Sequence, residues 1–365
     1  MEGVKKLELG VFIPSTNNGW IMSKNSPKFM PTFELNKSIA LLAEEIGFDH
    51  VFSAVKWRGF GGETEHSDYA VEPMTLMAGI AAITKRVKII ASIQPLTFNP
   101  VVAAKMMVTL DEISKGRFGL NLVSGQYFDE YKQMGVMPEG YPSYRYEFAQ
   151  EWLDIVKKLW TEDHVTYKGK FHTIEDVSSK PKPIQKPFPS IVCAGMSETG
   201  LNFTAKNGSH SFVSGRNFAE MKAMGLKAKE TAKKYGRTIK TNTVFIIIQA
   251  DTDKEAKELE QYYRDGADVE LLSNIMNIYS KDASGSASQM LAENAKKHVF
   301  YGFPPISGSP ETIASILEEV HREGEFDGIL FTFPEYLEGM RNFNEKVRPL
   351  LLEKGVKLTE EHLLV

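Results

Sequence analysis

The sequence predicts a (β/α)8 TIM barrel with insertions, and three observations lead there. A strand-like run followed by a helix-like pattern recurs along the 365 residues, which is the signature of parallel βα units. Barrels of this kind take about 250 residues and tolerate additions, so the length suits one barrel plus an excursion. The third is the stretch 118–135, FGLNLVSGQYFDEYKQMG, which starts as an apolar strand and breaks at Ser124-Gly125 into a turn holding Gln126, Tyr127, Asp129 and Glu130. An apolar strand ending in polar groups is how such a barrel presents a site at its C-terminal edge.

The first strand is read at 7–14. A helix over 33–45 follows, with Phe33, Ile39, Leu42 and Ile46 near helical spacing and Gly47 as its stop. Strand two spans 51–55, and its helix, 72–84, comes after the loop Arg58-Gly59-Phe60-Gly61-Gly62. Strand three is 87–93, and Pro100 opens a helix to Ser114, since proline suits a first helical turn. The fourth strand opens the stretch 118–135, and its helix is read at 146–160. A hairpin over 165–173, turning at Lys168-Gly169, precedes strand five at 190–194. Ser197 caps the next helix, to about Lys206. Strand six (211–214) leads to a helix over 219–235, and strand seven (243–250) to one over 253–266. Strand eight (328–333) and a helix over 336–353 close the chain. The surplus falls in 268–307, ahead of the helix opened by Ser309-Pro310-Glu311. Such an insertion reads as a lid, and also as a surface excursion or subunit contact. The whole of 1–365 is read as one domain containing it.

Composition excludes several classes. Net charge is −4 with acids and bases mixed, so there is no basic footprint for nucleic acid and no polybasic membrane patch. The single cysteine, Cys193, allows no intramolecular disulfide and no CxxC metal site, and it fits a reducing compartment. The N-terminal residues run straight into a strand pattern without a signal-peptide apolar region, and no apolar run approaches the ~20 residues of a membrane span. The expectation is a soluble cytoplasmic protein.

The eight histidines are scattered, with no HExxH, and there is no GxSxG elbow and no P-loop. Ser124 and Ser197 sit at strand-to-helix junctions without a histidine partner identifiable by spacing. The expectation from these absences is that a bound cofactor carries the chemistry. Ala194-Gly195-Met196-Ser197 places a hydroxyl and free N–H groups where a phosphate can sit, or is an ordinary N-cap. Arg145-Tyr146, at a helix start, can meet a phosphate or face solvent. Lys56 can neutralise a polar ring or point outward. Asn121, an amide in an apolar strand, must find partners or cost about 1–3 kcal/mol; neighbouring backbone and a site are both open to it. The segments Asn17-Asn18-Gly19-Trp20 and Trp57-Arg58-Gly59-Phe60 can wall a planar ligand or simply pack.

These residues resemble the bacterial luciferase-like flavin monooxygenases over nearly the whole chain. The resemblance rests on Asp111-Glu112-Ile113-Ser114-Lys115-Gly116-Arg117-Phe118, Asn121-Leu122-Val123-Ser124-Gly125, Arg145-Tyr146, Leu159-Trp160, Phe171, Ala194-Gly195-Met196-Ser197 and Gly308-Ser309-Pro310. Within the family the chain is most similar to the branch that opens the uracil ring, through Gly10-Val11-Phe12, Asn17-Asn18-Gly19-Trp20, Met30-Pro31-Thr32-Phe33-Glu34-Leu35-Asn36-Lys37 and Arg58-Gly59-Phe60-Gly61-Gly62. The resemblance implies reduced FMN (FMNH2) as co-substrate, supplied by a separate NAD(P)H-dependent flavin reductase, with O2 as oxidant and a flavin peroxide, at N5 or C4a, as oxygenating species. It implies flavin contacts at Val55, Lys56, Asn121, Glu130, Arg145, Tyr146 and Ser197, with Arg145 and Ser197 as phosphate holders. It also implies a small dry O2 pocket at Phe52, Ser92 and Asn121, where the uracil branch has leucine and threonine at the first two positions. Gln126 replaces a tryptophan of that branch, and His66-Ser67-Asp68-Tyr69 replaces a tryptophan-containing run. The implied substrate is a small organic molecule, a pyrimidine such as uracil, with a sulfone or another heterocycle as the alternative. A non-catalytic flavin-binding barrel and a deazaflavin-dependent reductase are the competing classes. The family implies a homodimer or homotetramer.

Overall fold

A computed structural model of the chain describes residues 6–215, 217–280, 299–300 and 302–359. Its strands are β1 (Glu8–Ile13), β2 (His50–Ser53), β3 (Lys88–Ile93), β4 (Phe118–Leu122), β5 (His164–Lys168), β6 (Thr173–Ser178), β7 (Ser190–Cys193), β8 (His210–Phe212), β9 (Lys240–Gln249), β10 (Pro305–Gly308) and β11 (Gly328–Thr332). Among the described residues, eight of these are parallel and close in the order β1-β2-β3-β4-β7-β8-β9-β11. The predicted barrel is therefore observed. β5 and β6 form the antiparallel hairpin outside it.

Strand periodicity divides the barrel into an outer and an inner core. Val11, Ile13, Val51, Ile89, Ala91 and Ile93 face the helices, while Phe12, Phe52, Ile90, Val192, Phe212, Val244 and Leu330 fill the lumen. Pairing aligns Phe12 with Phe52, Phe52 with Ile90, and Ser92 with Asn121. An aromatic layer is thus overlain by a polar one toward the C-terminal mouth. Gly10 makes room for this filling, because a Cβ there would stand 2.4 Å from the Leu330 side chain.

The first three helices begin where side chains satisfy the first free N–H groups. Thr32 caps α1 (Phe33–Glu45), the Glu72 carboxylate caps α2 (Pro73–Ile83), and Asn99 caps α3 (Pro100–Ile113). Downstream lie α4 (Phe128–Gln133), α5 (Tyr141–Thr161), α6 (Glu198–Asn207), α7 (Phe218–Lys234), α8 (Asp253–Asp265) and α9 (Val269–Tyr279), then Pro310–Gly324. Among the described residues, no helix is long and apolar enough to cross a membrane.

Four expectations change. The helix after β4 starts at Tyr141 rather than 146, because Gly140 at φ 70° serves as its N-cap and Pro142 lies in the first turn. The turn after Ser124-Gly125 contains a short helix, α4. The segment 268–307 holds α9, capped by the Asp268 carboxylate, and β10, which extends the sheet along the end of β9. Residues 281–298 and 301 lie outside the described residues, and the lid expectation falls partly on them. The closing helix is interrupted by a π-helical turn, Phe343–Val347.

Candidate functional site

A cavity of about 280 Å³ opens at the C-terminal mouth of the barrel. Its floor is aromatic. Phe12 stacks on Phe52 at 4.9 Å, Phe212 lies 5.5 Å from Phe52, and Trp20 meets Phe12 edge-on at 4.7 Å. Phe303 completes the wall, 4.9 Å from Trp20. Rings in this arrangement offer planar apolar surface and keep water out.

The polar layer above is built from β3 and β4. Asn121 Nδ2 donates to Ser92 Oγ at 2.7 Å, and Ser92 Oγ donates to the Ser53 carbonyl. Because Ser92 Oγ spends its proton on the Ser53 carbonyl, the Asn121 amide must turn its nitrogen, not its oxygen, toward Ser92. Its Oδ1 is buried and has no hydrogen-bond partner among the described residues, a condition that costs about 1–3 kcal/mol unless a ligand relieves it.

Glu130, on α4, organises the adjoining wall. Its Oε1 accepts the backbone N–H groups of Trp57 (2.9 Å) and Arg58 (3.4 Å) and lies 3.5 Å from Lys56 Nζ. Its Oε2 accepts from Gln94 Nε2 at 3.2 Å. The Lys56 ammonium rests 3.8 Å from the centroid of Phe60 and 4.5 Å from that of Tyr127, which attract it through their negative faces. Burial pulls the Lys56 pKa below its ordinary value, and Glu130 opposes the shift. Burial, reinforced by Lys28 and Lys56, pushes the His66 imidazole down to about 3, so it is neutral near pH 7.

The third wall is the junction of β7 and α6. Ser197 Oγ accepts the Gly200 N–H at 3.1 Å. Gly195 lies so close to Gly200 that a Cβ would stand 2.6 Å from the latter's Cα, and a Cβ on Gly200 would meet the Tyr146 hydroxyl at 2.6 Å. The Tyr146 hydroxyl, from α5, thus stands beside the N-terminus of α6, where free N–H groups and the helix dipole favour an anion.

Among the residues predicted from sequence, Phe52, Ser92, Val55, Lys56, Asn121, Glu130 and Tyr146 line the cavity. Arg145 and Ser197 stand outside its lining. Ser197 uses its hydroxyl as the α6 cap. Arg145 belongs to the second turn of α5 rather than its start, is almost fully buried, and has its guanidinium 5.7 Å from the Phe128 ring and 5.5 Å from that of Tyr146. Of the two tryptophans, Trp20 lines the cavity, while Trp57 packs 6.4 Å from Phe98.

Sequence reasoning missed Thr16, Ser67, Gln94, Phe212 and Phe303, which also line the cavity. Gln94 carried a signal, a polar residue directly after β3. Ser67 carried one only as part of the segment 66–69 that departs from the uracil branch; its place in the wall comes from two loops that fold together. Asn17 Nδ2 donates to the Glu65 carbonyl and Asn18 Nδ2 to that of Thr64, both at 2.9 Å, and Asn17 Oδ1 accepts the Tyr69 N–H at 3.2 Å. Asn18, Glu65 and Ser67 all adopt positive φ there, 61°, 48° and 64°, a strain that clusters at functional sites. Ser67 Oγ then reaches Thr16 Oγ1 at 3.4 Å.

A family profile, luciferase-like monooxygenase, matches residues 7–325. Pyrimidine monooxygenase RutA of Acinetobacter baylyi is 39% identical over 354 residues, covering 95% of each chain. RutA of a Bradyrhizobium species is 39% identical over 359 residues, 96% of this chain and 99% of its own. The crystal structure of riboflavin lyase RcaE, determined with modified FMN and riboflavin, superposes with a TM-score of 0.86 at 22% identity over 97% of this chain and 93% of its own, which shows a shared fold. Barrel, cavity and sequence relationship agree: the chain belongs to the luciferase-like monooxygenase family.

Proposed function

We propose that this family member is a two-component monooxygenase that uses reduced FMN and O2 to oxygenate a pyrimidine such as uracil. The observation that carries the reading is the aromatic cavity overlain by an oriented amide, Asn121, whose Oδ1 has no protein partner among the described residues. Support for the pyrimidine comes from the relatives named pyrimidine monooxygenase, 36% to 39% identical over nearly the whole chain. The residues present fit FMN. The rings of Phe12, Phe52 and Phe212 suit a flat ring system, the Asn121 carbonyl suits a ring N–H, and Tyr146 with the α6 N-terminus suits a phosphate.

When bound, reduced FMN supplies the electrons that O2 activation needs. The protein's own part is positioning and exclusion of water. Ser92 locks the Asn121 amide, and with Phe52 the two form the small pocket assigned to O2. Glu130 and Lys56 hold the loop after β2 against α4, next to Val55. Tyr146 and Ser197 would receive the phosphate of FMN, and Arg145, buried with its guanidinium 5.5 Å from the Tyr146 ring, would add positive charge. Reducing equivalents come from NAD(P)H through a separate flavin reductase, and the protein works as a homodimer or homotetramer.

The test is turnover with purified protein, FMN, NADH, a generic flavin reductase and O2, following uracil and thymine by mass spectrometry. Ring opening with incorporation of oxygen from 18O2 is the expected result. Flavin binding without loss of either pyrimidine overturns the pyrimidine assignment. It would favour a sulfone or another heterocycle, a reading that the polar wall at Thr16, Ser67 and Gln126 also supports.

A further inference from the structure

Gln94 is nearly fully buried, lines the cavity, and stands next to the polar layer formed by Ser92 and Asn121. Its orientation is dictated by Glu130. That carboxylate accepts two backbone N–H groups and faces Lys56, so its oxygens act as acceptors, and Gln94 must turn its NH2 toward Oε2, 3.2 Å away. A flipped amide would set oxygen against oxygen. The Gln94 carbonyl oxygen is therefore committed to the other side. It is buried and finds no hydrogen-bond partner among the described residues. Asn121 Oδ1 is in the same condition on the same wall. Two oriented acceptors without donors among the described residues, set among aromatic rings, complement a flat ligand that carries ring N–H groups.

We propose that Gln94 accepts a hydrogen bond from a cyclic amide or imide N–H of the bound ligand and selects for it. The proposal rests on the functional reading above for its candidate ligands. Two molecules would bring that chemistry here, since the pyrimidine portion of a flavin and a uracil-type substrate both carry an N–H flanked by carbonyls. Leaving a buried acceptor unmet costs more than losing an apolar contact, so a ligand methylated at that nitrogen is rejected strongly.

The experiment compares each ligand with its N-methylated form, in the wild type and in Gln94→Met, which keeps the length of the side chain and removes the amide. One arm titrates FMN against 3-methyl-FMN by fluorescence quenching and needs no turnover. The other compares kcat/KM for uracil with that for 1-methyluracil and 3-methyluracil. The wild type is expected to prefer the N–H form in one arm by about tenfold or more, and Gln94→Met to reduce that preference to near unity. The arm that flattens identifies the ligand. A merely structural role, exerted through Glu130, would weaken both members of a pair alike and leave the preference intact. Unchanged preferences in both arms overturn the proposal, as does a wild type without preference in either, a result that does not require the variant to fold. If the wild type leaves uracil untouched, the pyrimidine reading fails by itself and the flavin arm alone decides for or against Gln94.

Discussion

At the N-terminal end of the barrel, Glu8 is met by side-chain nitrogens: His50 Nε2 at 3.1 Å, Lys240 Nζ at 2.5 Å and Lys88 Nζ at 3.6 Å. At the C-terminal end, Glu130 is met by two backbone N–H groups, the Gln94 amide and the buried Lys56. Both carboxylates are nearly inaccessible, but their partners differ in kind. Lys88 and Lys240 are half exposed and lean in from solvent, free to leave. Burial raises the Glu8 pKa, yet His50 and the two lysines outweigh it and hold the carboxyl well below the usual range. Two of the partners of Glu130 are backbone N–H groups and the other two are buried side chains, and next to them stand the Asn121 and Gln94 oxygens, which have no partner among the described residues. A buried charge closed off by half-exposed surface lysines is a plug. One held by buried donors, beside a cavity, is the wall of a site.

The largest expected effect separates the two glutamates. Glu130→Ala strands the buried Lys56 and should cost about 3–5 kcal/mol while abolishing turnover. Glu8→Ala should cost about 1–3 kcal/mol and leave kcat unchanged, because its lysines can swing into water. Urea unfolding together with kcat measures both, and equal profiles for the two variants would break the contrast. Next comes Asn121→Ala, which should lower oxygenation at least about tenfold, the scale of a 1.4 kcal/mol interaction, against a stability loss of about 1 kcal/mol for the bond to Ser92. Full activity in that variant would remove Asn121 from the site.

Acid sensitivity sharpens the contrast. The His66 pKa is depressed to about 3 in the folded protein from 6.5, so the unfolded chain takes up a proton first and stability falls as pH drops from about 6.5 toward 3. Replacing it, in His66→Asn, should flatten that slope by up to about 1.4 kcal/mol per pH unit, read from unfolding at successive pH values. Glu8 acts at lower pH, its stabilisation being present above its ordinary pKa of 4.5 and lost as pH falls below it. The smallest effect is that of Ser197→Ala, about 1 kcal/mol for the lost cap and a several-fold weaker FMN titration. Unchanged flavin affinity would leave Ser197 a cap alone.

The barrel was legible because its signals are local. Strand runs, the Ser197 cap, the Ser309-Pro310-Glu311 opening and Pro100 all act within a few residues, and α1 falls at Phe33–Glu45 as its spacing indicates. The start of α5 was missed because a glycine at φ 70° replaced a polar cap. β10 was missed because its identity as a strand depends on pairing with the far end of β9. Within the cavity, Lys56, Asn121, Glu130 and Tyr146 were found through their motifs, whereas Ser67 and Phe303 are brought there by loops whose folding is written in contacts distant along the chain. The amide orientation of Gln94 depends on a glutamate 36 residues away and has no local trace.

The stitching of the loops after β1 and β2 bears on how this scaffold changes its diet. The Asn17 and Asn18 side chains grip the backbone of Thr64, Glu65 and Tyr69 and ignore the side chains there. Of the three positions suspended between those anchors, 66 to 68, Ser67 lines the cavity at a φ of 64°, so its side chain can change among residues that tolerate that conformation while the main chain stays where it is. Selection can retailor that stretch of cavity wall as an interchangeable cassette, without re-founding the barrel beneath it.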